Sequence, residues 1–352
     1  MTSKLFFTLA VIVILYALIA VNHITLLKVV PIVRVVGPES MAFDLLGEGL
    51  YAGISDGRII RWQENEQRWI NFTITSRLRK GCEGQHDHQL TEHICRRPLG
   101  ICFNEVTNEL YIVDAYMGLL KVGPEGGLAT SIATHAQDPL LFTNGLDINQ
   151  FDGSIYFTDS SSFHQMRNFI SIILNGDKTG RLMKYEQESK QVRVVLNNLS
   201  FPNGVALSNG GSFLVFAETT KCRILRYWLN TSKAETLETF AQLPGFPDNI
   251  KRSPRGGFWV AMHSRRDKIL AWILSFPRLG NALVRLPIDV TKAYLVLSKY
   301  RGSGLAMTLS EDGEILETIE DKNGNKISEV HEKDGNLWIG SIDTPFVGMY
   351  RI

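Results

Sequence analysis

Six times along this chain a short apolar strand is followed by a turn and then by a second strand in a matching frame. The second strands are "GLYAGISDGRIIRW", "ELYIVDAYMGLLKV", "SIYFTDSSS", "SFLVFAETTKCRILRYW", "GFWVAMHS" and "NLWIGSIDTPFVGMYRI". Five carry an aromatic in an equivalent place, at Tyr51, Tyr111, Tyr156, Trp259 and Trp338, and Leu214 fills it in the sixth. The shorter strands ahead of them are "MAFDLL", "LGICFN", "LDINQ", "VALS", "IKRS" and "SEVHE". A unit of this kind cannot bury its own faces and must stack on its neighbours, which is the logic of a propeller blade. The sequence therefore predicts an all-β, six-bladed β-propeller over residues 31–352.

Two segments break the strand pattern with apolar residues at helical spacing: "SSFHQMRNFISIILNG" and "SRRDKILAWILSFPRLGNALVRL". Each follows a blade strand, so both are expected to be helical lids over one face of the ring. A competing reading is contact with a membrane, since the second joins Arg265, Arg266, Lys268 and Arg278 to Trp272, Ile273 and Phe276.

The first thirty residues form a separate segment. Lys4 precedes an uncharged apolar run from Leu5 to Val21, at the lower edge of spanning length. The stretch after Tyr16 within that run, Ala-Leu-Ile-Ala-Val, is a poor cleavage site, which favours an uncleaved signal-anchor over a cleaved signal peptide or a buried core helix. Either of the first two readings places the remainder in the secretory lumen, in the endoplasmic reticulum, a vacuole or the cell surface. Sequons at Asn71, Asn198 and Asn230 agree with that compartment. So does the loop "CEGQHDHQLTEHIC", which a Cys82–Cys95 disulfide would close in an oxidising environment. Cys102 and Cys222 sit in apolar strands and read as buried thiols. His86, His88 and His93 in the same loop imitate a metal site but lack a fourth ligand, and read as ordinary loop residues.

An apolar share of 44%, a charged share of 21% and a net charge of +1 describe a globular chain. With no basic stripe and no interleaved aromatics, nothing favours nucleic acid as a partner.

"FTNGLDI", "FPNGVAL" and "FPDNIKR" each place an amide or a carboxylate just ahead of a first strand. Aligning the six first strands gives six equivalent slots: Glu39, Leu99, Asn144, Asn203, Asp248 and Ser328. First strands line the central channel of a propeller, so these residues should form a ring about its axis. Two carboxylates and two amide carbonyls offer four hard oxygens with a charge suited to Ca²⁺, and Asn249 could add another. Strand direction puts Asp114, Asp159, Glu218 and His263 on the same face, although Asp159 and Ser160 could equally cap a turn. A polar ring roofed by two lids is a candidate site for a small-molecule ligand.

"GPES", "RPLGI", "DAYMGL", "IYFTDSSS", "GRLMKY", "FPNGVALS", "AETT", "GFPDNI" and "ISEVHEKDGNLWIGS" together resemble the strictosidine synthase-like family, from about Val36 to the C-terminus. Within it they look most like the adipocyte plasma membrane-associated proteins and their plant counterparts. The resemblance implies a six-bladed propeller behind a signal or anchor and a disulfide at Cys82 and Cys95. Strictosidine synthase uses a glutamate in the last-blade slot for its Pictet–Spengler condensation. Ser328 stands there in this chain, and a hydroxyl cannot transfer protons as a carboxylate does. The adjacent Glu329 should point away from the channel by strand alternation.

The related paraoxonase-like lactonases hold a catalytic calcium where Glu39, Asn144, Asn203, Asp248 and Asn249 fall. That resemblance implies a calcium-dependent ester or lactone hydrolase, with Asp248 or a nearby carboxylate activating water and His263 as a substitute base. One departure is Leu99, which occupies the slot where that branch carries a histidine. Two alternatives follow: a non-catalytic, calcium-braced binding module, and a condensing enzyme of the strictosidine synthase kind. The partners expected are an ester or lactone substrate and a membrane contacted through the N-terminal segment.

Overall fold

A computed structural model describes residues 21–24, 28–33, 35–45, 47, 49–84, 86–266, 268–298, 304–321 and 324–352. The described strands form six sheets. The fourth shows the plan: Pro202–Leu207, Phe213–Glu218, Arg223–Trp228 and Leu237–Gln242 pair antiparallel in sequence order. Its innermost strand is buried at every position, whereas its outermost is exposed at half of them. That gradient follows from the radial arrangement, because inner strands are enclosed by two neighbouring blades and outer ones face water.

What makes the sheets a ring is the apolar packing between them. One cluster joins the fourth and fifth sheets through Ala217, Ile224, Phe258 and Met307. Equivalent clusters lie between the second and third, first and second, third and fourth, and fifth and sixth sheets. The circle is completed by the packing of Val30 and Val347 of the sixth sheet on Met41, Ala52 and Ile60 of the first. The β-propeller expected from the sequence is therefore the observed fold.

Closure is made by chain ends. Glu329–Lys333, Asn336–Gly340 and Phe346–Arg351 supply three strands of the sixth sheet, and Lys28–Pro31 adds the fourth, antiparallel to Phe346–Arg351. Upstream, Val21–Ile24 pairs parallel with Ile315–Asp321 at the outer edge of the fifth sheet. The division expected at residue 30 thus falls inside a strand that belongs to the ring. Residues 5–20 of the apolar run lie outside the described residues, and no described helix is long and apolar enough to cross a membrane.

Both inserts are helical and stand over one face. The first contributes Phe169–Asn175, ended by Gly176 in the left-handed conformation. The second is longer than the sequence pattern suggests and comprises Lys268–Leu274, Pro277–Val284 and Val290–Ser298. Pro277 breaks it, since proline is tolerated in a first helical turn but not within a continuing helix. The inserts meet where a Cβ on Gly280 would stand 1.9 Å from the Leu174 carbonyl oxygen, so only glycine permits that crossing. Phe169 also packs edge-on against Tyr294.

Candidate metal and substrate site

The first strands start on the lid face, and their opening residues converge as the sequence pattern requires. Glu39, Leu99, Asn144, Asn203, Asp248, Asn249 and Ser328 are all buried. Glycine makes the convergence sterically feasible. A Cβ on Gly145 would lie 2.6 Å from Gly204 Cα, and one on Gly204 would lie 2.5 Å from the Ile250 nitrogen. Neither glycine has a positive φ, so what the Asn-Gly pairs supply is room for the neighbouring backbone. The asparagine faces the axis and the glycine admits the next blade.

Over this ring lies a cavity of about 900 Å³. Glu39, Asn144, Asn203, Asp248 and His263 line it, and so does Leu99. Asn249 and Ser328 do not reach the cavity wall. The Asn249 N–H donates to the Ser328 carbonyl (3.0 Å), and Ser328 Oγ donates to the Glu39 carbonyl (3.0 Å), so both tie blades together. The upper wall is apolar: Leu99, Phe142, Met166 and Phe201 line it and pack together against Ile172 of the first lid helix.

Hydrogen bonding around the ring leaves oxygen atoms facing no donor. Asn144 Nδ2 donates to Ser160 Oγ (3.1 Å), which in turn donates to the Pro202 carbonyl (2.7 Å). Asn203 Nδ2 donates to Asp248 Oδ1 (2.8 Å). With both amide nitrogens satisfied, Asn144 Oδ1 and Asn203 Oδ1 remain buried without partners. Such oxygens are costly unless a ligand completes them.

The two carboxyls are in a comparable position. Burial pushes Glu39 up to about 7, against the opposing pull of Arg97, with the negative charges of Asp343 and Glu329 adding to the rise. Asp248 is raised well above the ordinary carboxylate range by burial and then by Glu39. Two carboxyls that resist joint ionisation, beside two unpartnered carbonyl oxygens, fit a hard divalent cation. Among the described residues no three His, Cys, Asp or Glu side chains form a metal cluster, so the fit depends on the amides.

Arg97 is a site residue that the sequence reading did not single out. Its Nη2 lies 3.2 Å from Glu39 Oε2, both side chains are almost wholly enclosed, and Arg97 lines the cavity. The guanidinium fits because residue 37 is glycine, where a Cβ would stand 2.4 Å from Nη2. His263 faces the same space with its Nε2 buried and unpartnered. Burial, then the nearby Lys326 charge, lowers it to about 4 despite the opposing effect of Asp343. Its imidazole is therefore neutral at physiological pH.

Asp114, Asp159 and Glu218 do not line the cavity as strand direction suggests. Asp159 is held by Arg181 Nη2 (2.5 Å) and accepts from the Phe142 N–H (2.9 Å). Glu218 is held by Arg223 (2.6 Å) and the Ser200 N–H (2.9 Å), and Asp114 accepts from the Tyr116 N–H (2.9 Å). These bonds turn the carboxylates into the blades, where they brace turns. Glu329 also lies outside the cavity, buried against the Met41 N–H (2.6 Å), Ser40 Oγ (2.9 Å) and Lys251 Nζ (3.4 Å).

Cys82 and Cys95 are disulfide-bonded, with Cα atoms 5.4 Å apart. The loop they close belongs to the cavity rim, which His86, His88 and His93 help to line. Cys102 and Cys222 are free. Asn71, Asn198 and Asn230 are exposed.

A closed six-bladed ring with a polar, channel-end cavity under helical lids defines the class. The chain belongs to the strictosidine synthase-like family. Its residues 144–232 match the strictosidine synthase profile and residues 25–62 the strictosidine synthase-like N-terminal profile. It is 54% identical over 336 residues to the protein strictosidine synthase-like 2 of Arabidopsis thaliana, covering 92% of this chain and 89% of that one. It is 34% identical over 323 residues to the adipocyte plasma membrane-associated protein of Salmo salar, covering 89% and 75%. The fold is shared with a gluconolactonase from Xanthomonas campestris (TM-score 0.61, 14% identity, 92% and 88% covered). It is also shared with regucalcin, a calcium-binding protein of Agrobacterium tumefaciens (TM-score 0.55, 11% identity, 91% and 90% covered).

Proposed function

We propose that this protein is a calcium-dependent hydrolase of esters or lactones. The observation that carries the reading is the pair of buried, unpartnered oxygens, Asn144 Oδ1 and Asn203 Oδ1, set beside Glu39 and Asp248 at the floor of one cavity. Those four residues would hold the ion, with Asn249 bracing the strand that carries Asp248. A bound calcium supplies a Lewis acid for an ester carbonyl and for the charge that grows on its oxygen. The chain's own residues do the rest. The apolar wall of Leu99, Phe142 and Phe201 would seat the substrate's hydrocarbon part and exclude water from it. His263, already neutral, presents Nε2 to take a proton from the attacking water, with Asp248 the other carboxyl within the site.

A condensing role of the strictosidine synthase kind is disfavoured by the last-blade slot. Ser328 Oγ is committed to the Glu39 carbonyl, and the Glu329 carboxylate is engaged outside the cavity. A non-catalytic binding role draws support from Leu99, an inert side chain in a slot that faces the ligand space. Measuring hydrolysis of aryl esters and lactones by the full-length protein, with and without a calcium chelator, separates the readings. Chelator-sensitive acid release is expected. Tight calcium binding without turnover of any substrate would favour the binding role.

The apolar N-terminal run and the exposed sequons support a lumenal propeller anchored in a secretory-pathway membrane. Glycosidase treatment of the expressed protein should raise its mobility on a gel. Unchanged mobility, together with protease access from the cytosol, would reverse the orientation.

A further inference from the structure

Glu39 is claimed twice, and this constrains the ligand. Its Oε2 is the side-chain acceptor 3.2 Å from the Arg97 guanidinium, and it is also one of the two carboxyls of the calcium site. Arg97 is 2% exposed and its Nε has no partner. A guanidinium does not give up its proton, so its charge persists in every state of the site. Of the other carboxyls that line the cavity, Glu92 accepts from the Tyr116 hydroxyl (2.5 Å) and Asp343 is paired with Lys326 (2.7 Å). A divalent cation on Glu39 would draw that carboxylate's charge away from Arg97, leaving an enclosed guanidinium with less of its counter-charge and with a donor already unpartnered. A negatively charged ligand group would meet that donor.

We infer that the cavity takes a ligand carrying a carboxylate, bound by Arg97, and that calcium and this carboxylate bind cooperatively. The inference rests on the calcium site proposed above. A second group points to the same place: His88 is 7% exposed, lines the same cavity and has a buried Nδ1 without a partner. Arg97 and His88 would thus offer donors at the rim side of the site, while the apolar wall receives the hydrocarbon part of the ligand. The fragment that fits is an acid with an apolar or aromatic body, which is also the kind of product that ester or lactone hydrolysis leaves.

Phenylacetate is a suitable probe, with uncharged phenylacetamide as its near-isosteric control. Titration calorimetry on the full-length protein should show phenylacetate binding about tenfold more tightly in calcium than in chelator, and calcium gaining the same factor from phenylacetate. Phenylacetamide should show no such coupling. Arg97→Gln should abolish the coupling, read as the ratio of phenylacetate affinities with and without saturating calcium, and Arg97→Lys should keep part of it. If Arg97→Gln does not fold, the comparison of the two probes on the wild-type protein still decides. Equal phenylacetate affinity with and without calcium overturns the inference while leaving the calcium site standing. Absence of calcium binding to the wild-type protein overturns both. Equal coupling for both probes overturns the role of the charge.

Discussion

Asn203 of the fourth blade donates its amide hydrogen to Asp248 of the fifth across 2.8 Å. That bond fixes which way the amide faces, and so leaves Asn203 Oδ1 turned toward the axis with no donor to meet it. One contact between blades both orients a candidate metal ligand and consumes one oxygen of its neighbour.

Replacing Asp248 separates these roles. Asp248→Asn keeps an oxygen for Asn203 but removes the charge that Glu39 opposes. Calcium affinity should fall at least about tenfold, the loss typical when a metal's surroundings are altered. The metal-free variant should nevertheless melt higher than metal-free wild type at mildly alkaline pH, because one buried charge is gone. A variant that melts lower and binds calcium normally would make Asp248 a structural residue.

Calcium should stabilise the native protein, since it binds the folded ring and not the unfolded chain. At about a hundredfold excess over its dissociation constant the gain is about 2.7 kcal/mol. Scanning calorimetry with calcium and with chelator should show the corresponding rise in Tm. Coincident curves, on protein shown to be metal-free at the outset, would count against the site.

Glu39 gives the site a pH signature. Its folded value, about 7, lies above the ordinary glutamate value of 4.5, so between them the folded state holds a proton the unfolded chain has lost. Stability of the metal-free protein therefore falls as pH rises through that window, by on the order of 3 kcal/mol from this group. Calcium must displace the proton, so its affinity should increase from about pH 6 to about pH 8. Calorimetry in buffers of different ionisation enthalpy would register the released protons. A pH-independent affinity across that range would remove Glu39 from the ligand set.

Gly204→Ala tests the close approach of the inner strands. The new Cβ would meet the Ile250 nitrogen at 2.5 Å and Asn249 Cα at 2.6 Å, which should cost about 1–3 kcal/mol and loosen calcium by shifting Asp248. Gly210→Ala is the control, because a Cβ there meets nothing within 4 Å. Equal denaturation midpoints for the two variants would refute the packing argument.

The blades were legible because short apolar strands and the turn residues between them are local signals, and each of Tyr51, Tyr111, Tyr156, Trp259 and Trp338 marks its second strand. The slot residues were legible for the same reason, as a fixed offset from a repeated strand. Arg97 was not, because its role depends on Gly37, sixty positions away in the chain, leaving space for the guanidinium. Asp159 and Glu218 were misplaced because strand direction gives the face on which a residue emerges but not its partner. Arg181 and Arg223, each on the adjacent strand, turn them inward. The extra lid helices were hidden by reading one amphipathic stretch through Pro277.

The strand Lys28–Pro31 covers the Phe346–Arg351 edge. Without it, that edge would present a row of bare amide and carbonyl groups to any extended segment nearby, including the same edge of a second molecule. Deleting the residues up to 31 would thus do more than loosen one sheet. It would turn a self-contained ring into a sticky one, prone to swapping strands between copies and to aggregation, so the stretch that leads toward the apolar N-terminus also serves as the molecule's guard against self-association.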